Sequence, residues 1–317
     1  MKNIVVFGAG KAGLIHLKAY KKLNLEDKLY FVDVNQNTNY IKDKTIYKDI
    51  QSLLKEHPLN PQDTILDIAV PKDVFYDVIS ECRDLGFKDY IIEKPFILKD
   101  NNDFSDLNMV MVENYLYSRI FSDLKKYIQE NNKKVKTVFS NFSKNRRSNS
   151  LSGRGMASKV VNCFNIEMPH QVYMSQDLVE GLPNVIFKQA RDMEFEDFSL
   201  KDHGEGLLVI ENNGAVSYLY SNLTTDILTK NIAVTTVDNY VIKGEFFTYT
   251  PDLKVISKGS LQVYKDGELI QEQLYEEDDM ITYMMEEFIN YFNSNAYNPL
   301  YRQRIIAFSN FYNKYDI

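Results

Sequence analysis

The segment Lys2–Asp33 constrains the fold more than any other part of the chain. An apolar run, Ile4–Phe7, leads into Gly8-Ala9-Gly10-Lys11-Ala12-Gly13. A stretch that puts Ile15, Ala19 and Leu23 on one helical face follows, and then a second apolar run ending at Asp33. Strand, glycine turn, helix and strand in that order form a dinucleotide-binding βαβ unit. The first glycine lets the chain turn tightly off the strand. The second lets the backbone approach a pyrophosphate, and the third lets helix and strand pack closely. The phosphates then lie at a helix N-terminus, whose N–H groups and dipole favour an anion. Gly8, Gly10, Lys11, Ala12 and Gly13 are therefore the expected pyrophosphate-binding residues. Asp33 follows Gly13 by the roughly 20 residues at which an acidic group meets the adenosine ribose and disfavours a 2′-phosphate. This predicts NAD rather than NADP as cofactor.

The first third of the chain alternates strand and helix signals. Apolar runs at Leu29–Val32, Ile65–Val70, Tyr90–Ile92 and Met109–Val112 read as further buried strands. Helical patterns lie near Gly13–Leu23, Ile50–Glu56 and Val74–Leu85. That alternation predicts a parallel sheet with helices on both faces. From about Tyr115 the pattern changes. A helix is expected over Ser118–Gln129, a strand at Thr137–Phe142, a mobile polar loop over Lys144–Gly155 and a helix from Ala157 to Leu178. Period-2 strands follow at Leu207–Glu211, Val216–Tyr220, Ile232–Val237, Tyr240–Phe247 and Leu261–Tyr264. Asn212-Asn213-Gly214 and Lys265-Asp266-Gly267 read as hairpin turns, so this sheet is expected to be antiparallel. Two helices close the chain, one after the acidic cluster Glu276–Asp279 and one over Arg302–Tyr315. The reading is an α/β dinucleotide-binding domain over 1–114 and an α+β domain over 115–317, with the last helix packing back on the first domain.

The chain has 317 residues and a net charge of −7, which disfavours nucleic acid and anionic membrane as partners. No apolar run approaches the roughly 18–20 residues needed to cross a bilayer. Cys82 and Cys163 have neither metal-ligand spacing nor a disulfide framework. A reduced, cytoplasmic setting is expected, with no leader peptide, since Met1-Lys2 runs straight into the first strand. No metal site is expected, because Glu167 and His170 are only a pair. No serine elbow or Cys–His arrangement suggests acyl transfer. Lys144-Asn145-Arg146-Arg147 is the most basic patch, and its polar surroundings favour a solvated loop over a ligand clamp.

Ile91-Ile92-Glu93-Lys94-Pro95 ends the fourth expected parallel strand and brings a lysine to the sheet edge where cofactor and substrate would meet. Pro95 fixes its own φ and holds Lys94 extended, so the ammonium can reach a substrate hydroxyl or carbonyl. With this motif the chain resembles the glucose–fructose oxidoreductase / inositol dehydrogenase / MocA-like family. The matching residues are Gly8–Gly13 with His16, Pro71 after the third strand, and Glu81-Cys82…Gly86…Glu93-Lys94-Pro95.

The resemblance implies an N-terminal Rossmann domain and a C-terminal α+β domain with a large open, mainly antiparallel sheet that builds homo-oligomers. It implies NAD(P)-dependent hydroxyl/ketone interconversion on a sugar, amino sugar or cyclitol. Lys94 matches the family's active-site lysine, which contacts substrate and assists proton transfer. Pro71 and Glu93 fall at the family's cofactor-binding positions. The family's Asp-x-x-x-His is represented only by His170, since position 166 is isoleucine. Glu167 is three residues before His170 and shares its face on a helix, although Pro169 disfavours an uninterrupted helix there. His170 is thus the expected proton-transfer group, and Glu167 an expected substrate-side residue.

Asn114 and Tyr115, after the fifth strand, are placed to touch the nicotinamide or the substrate. Arg119, Arg146, Arg147, Arg154 and His203 are weaker candidates for the pocket. His16 is expected to pack near the glycine turn and His57 to lie in a polar turn. Two other readings stay open: a relative that uses NAD transiently for hydrolysis or isomerisation, and a nucleotide-binding sensor or scaffold that lost catalysis.

Overall fold

A computed structural model describes residues 1–98, 104–148, 162–249, 255–294 and 298–317. The chain divides into two compact units. One comprises Met1–Val112 and Ile281–Asp316, and the other Glu113–Met280 with Ile317.

The first unit contains β1 (Asn3–Phe7), α1 (Lys11–Lys22), β2 (Leu29–Val32), β3 (Ile46–Tyr47), α2 (Ile50–Glu56), β4 (Thr64–Ile68), α3 (Phe75–Asp84), β5 (Asp89–Ile92) and β6 (Asn108–Met111). The six strands form one all-parallel sheet in the order β3-β2-β1-β4-β5-β6. β1, β4 and β5 are almost wholly buried, as expected for strands covered on both faces. This strand order reverses direction at β1, and the crevice beyond the carboxyl ends of β1 and β4 is where such sheets bind dinucleotides.

The second unit contains α4 (Arg119–Glu130), β7 (Val135–Ser143), α5 (Met168–Leu178), β8 (Asn184–Glu194), β9 (Ser199–Asn212), β10 (Ala215–Asn222), β11 (Thr229–Thr236), β12 (Tyr240–Glu245), β13 (Thr248–Tyr249), β14 (Val255–Ser257), β15 (Ser260–Lys265) and β16 (Glu268–Leu274). Eight of these strands build a sheet in the order β16-β15-β12-β11-β7-β10-β9-β8. All neighbours are antiparallel except β7 and β10, which run parallel. Both expected hairpin turns form. Asn213 and Gly214 have φ of 49° and 80°, and Asp266 and Gly267 have 50° and 90°, the positive values that tight hairpins require. One face is covered by α4, packed on β12 and β15, and by α5, packed on β7 and β10. The opposite face leaves Phe139 and Tyr218 exposed. β8 and β16 were not anticipated. Nearly every residue in them is exposed, so they carry no burial alternation to read.

The chain closes with α6 (Met280–Ser294) and α7 (Pro299–Tyr315), which count with the first unit from Ile281, and α7 packs on β6. No helix among the described residues is long and apolar enough to cross a membrane.

Pro169 has a simple resolution. α5 begins at Met168, so the proline sits in the first turn, where its missing N–H costs nothing. Of the helix expected from Ala157 to Leu178, the described part is a short 3₁₀ turn at Cys163–Asn165 followed by α5; residues 149–161 lie outside the described residues. Arg154 lies there too.

Candidate functional site

At the carboxyl ends of the parallel strands, the first unit places Gly8, Asp33, Pro71, Glu93 and Lys94. Gly8 has φ of +105°, and a Cβ on it would fall 2.5 Å from the Ala69 carbonyl oxygen. A Cβ on Gly13 would fall 2.0 Å from the Gly8 carbonyl oxygen. Both positions therefore accept only glycine, one for conformation and contact, the other for contact alone. Gly10 differs: no described protein atom lies within 4 Å of its Cβ position. It is the N-cap of α1, and Lys11, Ala12 and Gly13 form the first turn. Crowded flanks and an open middle fit a pyrophosphate resting on the helix N-terminus.

Asp33 braces this turn. Its Oδ2 accepts from Ala9 N at 2.7 Å and its Oδ1 from Asn35 N at 2.8 Å. Thr38 Oγ1 donates to Ala9 O at 2.9 Å. A carboxylate has about four acceptor sites, so among the described residues two remain to accept from further donors. Pro71 ends the β4 loop and caps a 3₁₀ turn over Lys72–Val74.

His16, expected only to pack, is the centre of a buried charge network. The residue is 1% exposed. Nδ1 lies 2.9 Å from Asp67 Oδ2, and Nε2 lies 3.1 Å from Glu93 Oε1. Tyr20 Oη donates to Asp67 Oδ2 at 2.7 Å. Burial alone would lower the imidazole pKa, but Asp67 and then Glu93 outweigh it and raise it to about 10. Both ring nitrogens therefore donate at neutral pH. Burial opposes ionisation of Glu93 as well. The His16 bond and charge, together with Lys94, overcome it and hold the carboxyl below its usual range. Glu93 Oε2 also accepts from the Lys94 N–H at 3.2 Å. Glu93, an expected cofactor contact, thus also has an inward role, fixing the backbone from which Lys94 extends. The Lys94–Pro95 peptide is cis.

The second unit gathers Asn114, Tyr115, Glu167 and His170. Asn114 and Tyr115 lie in a 3₁₀ turn before α4. His170 is 8% exposed on α5. Its Nδ1 is 2.5 Å from Tyr173 Oη, and Tyr173 Oη donates to Asn114 Oδ1 at 3.3 Å. Asn114 Nδ2 donates onward to Met280 Sδ at 3.0 Å. These bonds run in one direction only if His170 Nδ1 carries the proton. The lone pair then sits on Nε2, the nitrogen suited to accept a substrate hydroxyl proton. Tyr173 was not singled out from sequence, yet at i+3 it shares a helix face with His170. Tyr115 packs edge-on against His170 and Phe142, with ring centroids 5.0 Å and 4.7 Å apart.

Glu167 caps α5 and is 3% exposed. Its carboxylate pairs with Lys144, with Arg146 NH1 at 3.5 Å and with Lys230 Nζ at 3.7 Å. Lys230 Nζ also donates to Tyr115 Oη at 2.6 Å. Burial lowers the Lys144 pKa to about 8; Glu167 works against this, and Lys230 and Arg146 reinforce it. The solvated loop expected at Lys144–Arg147 is thus in part a structured cationic edge. Its signal is invisible locally, because Lys230 lies opposite Phe142 across the β7–β11 ladder. His203 is buried beside this edge, and burial and then Arg146 hold its pKa below the usual value. Among the described residues no group of three or more His, Cys, Asp or Glu side chains could hold a metal ion.

No family model and no curated protein matches the chain by sequence. Solved structures do match in fold. The 3-ketoreductase KijD10 from Actinomadura kijaniata, in complex with NADP and TDP-benzene, is 9% identical, with a TM-score of 0.75 over 97% of this chain and 94% of that one. The UDP-N-acetylglucosamine 3-dehydrogenase GnnA from Acidithiobacillus ferrooxidans is 15% identical, with a TM-score of 0.68 over 97% and 95%. The fold, a parallel Rossmann sheet followed by a large mixed and mostly antiparallel sheet, is that of these proteins.

The imidazolium makes stability pH-dependent. Its folded pKa is raised, so its contribution is complete below about pH 6.5 and is lost as pH rises through about 10. Urea midpoints of the chain should fall over that window, and His16→Gln should flatten the decline. A variant with the same slope as the parent would contradict the charged state.

Proposed function

We propose that this chain is an oxidoreductase of the glucose–fructose oxidoreductase / inositol dehydrogenase / MocA-like type. In this reading it interconverts a hydroxyl and a ketone on a sugar, amino sugar or cyclitol. The observation that carries the reading is the joint presence, at the carboxyl edge of one parallel sheet, of the glycine turn and the Glu93-Lys94 strand end held by His16. The 3-ketoreductase and the UDP-N-acetylglucosamine 3-dehydrogenase that share the fold support the substrate class.

Gly8, Gly10, Lys11, Ala12 and Gly13 would hold the pyrophosphate, Asp33 the adenosine ribose, and Pro71 the loop beside the cofactor. Asn114 would contact the cofactor. A bound nicotinamide supplies or takes up a hydride at the substrate carbon. Lys94 would orient the substrate oxygen through its ammonium, and His170 Nε2 would take or return the hydroxyl proton. Tyr173 and Asn114 keep the His170 tautomer suited to that task, while Tyr115 and Glu167 shape the substrate side. An acidic residue, Asp33, just after β2 supports NAD over NADP, a choice different from the NADP bound to KijD10. The exposed sheet face with Phe139 and Tyr218 supports assembly into homo-oligomers. Low cysteine usage and the acidic balance support a cytoplasmic enzyme acting on a small molecule, with no nucleic-acid or membrane partner.

The direct test is a panel of sugars, amino sugars and cyclitols with NAD⁺, read by NADH absorbance. NAD binding without turnover across the panel would favour the sensor reading instead. Asp33→Ala is expected to weaken NAD(H) binding by roughly tenfold and to relax discrimination against NADP(H), about the loss of one charge-assisted bond; fluorescence titration of both cofactors measures it. Lys94→Ala should cut kcat by roughly 100-fold or more while cofactor affinity changes little, within the range of a lost acid–base or orienting group. His170→Ala should alter the pH–rate profile, and an unaltered profile would assign the proton to another group.

A further inference from the structure

The charges around Glu167 do not balance. Lys144, Arg146 and Lys230 all pair with this one buried carboxylate. Among the described residues no second carboxylate is paired with any of the three. Two positive charges are therefore left over in a space of a few ångströms. A purely structural ion pair needs one cation, and adding two more costs desolvation and mutual repulsion with no return in the protein alone. The cations are nevertheless reachable, with side-chain exposures of 31%, 25% and 18%. They are also held in place. Lys144 N and Arg146 N bond the carbonyls of Asn222 and Leu223, and Lys230 Nζ is fixed by Tyr115 Oη.

A second observation lies alongside. Leu223 N donates to Gly204 O, which brings His203 to the same edge as Arg146. His203 is 2% exposed, and its Nε2 has no hydrogen-bond partner among the described residues. A buried ring nitrogen without a protein partner calls for a water, an ion or a ligand to complete it.

We propose that this edge is the seat for a phosphoryl group carried by the substrate, so that the sugar is handled as a phosphate ester or a nucleoside diphosphate derivative. A phosphoryl group brings up to two negative charges and several outward oxygens, which matches one guanidinium fork and two ammonium points approaching from separate strands. A lone carboxylate offers half that charge in one plane. Glu167 then acts as the internal counter-ion that keeps the three cations gathered before the ligand arrives. The proposal rests on the sugar-oxidoreductase reading, but its test needs no turnover.

Isothermal titration calorimetry on the full chain would use UDP and dTDP as nucleoside diphosphates, glucose 6-phosphate as a phosphate ester, and glucose and glucuronate as controls. At least one phosphoryl compound should bind, and its affinity should fall with added salt. Arg146→Gln and, separately, Lys230→Gln should each weaken that binding tenfold or more, with Arg146→Lys recovering part of the loss. Binding by the diphosphates alone would point to a nucleotide-linked sugar, and binding by the ester alone to a sugar phosphate. The proposal is overturned if no phosphoryl compound binds, if glucuronate binds in preference, or if both glutamine variants bind as the parent does. Failure of these titrations would leave NAD-dependent turnover untouched, and absent turnover would leave the phosphoryl seat standing.

Discussion

A protonated histidine with a carboxylate on each side holds the first unit's working edge together. Asp67 lies at the end of the central strand β4 and Glu93 just past the end of β5, and His16 projects to both from the helix that follows the glycine turn. Carboxyl groups this deep are tolerated only with a charged, hydrogen-bonded partner, and losing one partner of such a set costs roughly 3–5 kcal/mol. The same imidazolium thus fixes helix, strand end and lysine backbone in one arrangement. The glycine turn depends on it indirectly, because α1 can lie this close to β1 only where Gly13 meets Gly8 without a side chain between them.

The second unit solves a different problem. Its helix α5 must carry His170 and Glu167 on neighbouring positions yet give them opposite surroundings. His170 is enclosed by Tyr115 and Tyr173 in a hydrogen-bonded chain that continues to Asn114. Glu167, one turn earlier at the helix start, faces three cations. The helix start at Met168 separates the two environments and turns Pro169 from an obstacle into a suitable first-turn residue.

Much of this was legible in the sequence where a residue's neighbours in the chain are also its neighbours in space. The glycine turn, the period of the buried strands, α2 over Ile50–Glu56 and both Asn/Asp-Gly hairpins are local features, and the structure follows them closely. What escaped was non-local. Nothing near His16 announces Asp67 or Glu93, and nothing near Lys144 announces Lys230, which a strand ladder brings alongside. The edge strands β8 and β16 escaped for another reason: exposed on both faces, they have no apolar alternation to betray them. His170 was readable as a histidine on a helix, but the direction of its proton depends on Tyr173 and Asn114, a pairing that only the folded turn creates.

The parallel pairing of β7 with β10 has a consequence for how the second unit assembles. β7 makes two non-local pairings: the parallel one with β10 closes the stretch from Lys144 to Gly214, and the antiparallel one with β11 closes a longer one. Closing a long loop carries an entropic penalty that local hairpins avoid, so such a pairing tends to come late. α5 lies inside the first of these loops and packs on both strands that define it. The helix bearing His170 and Glu167 is therefore secured by a pairing of strands far apart in the chain rather than by a local hairpin.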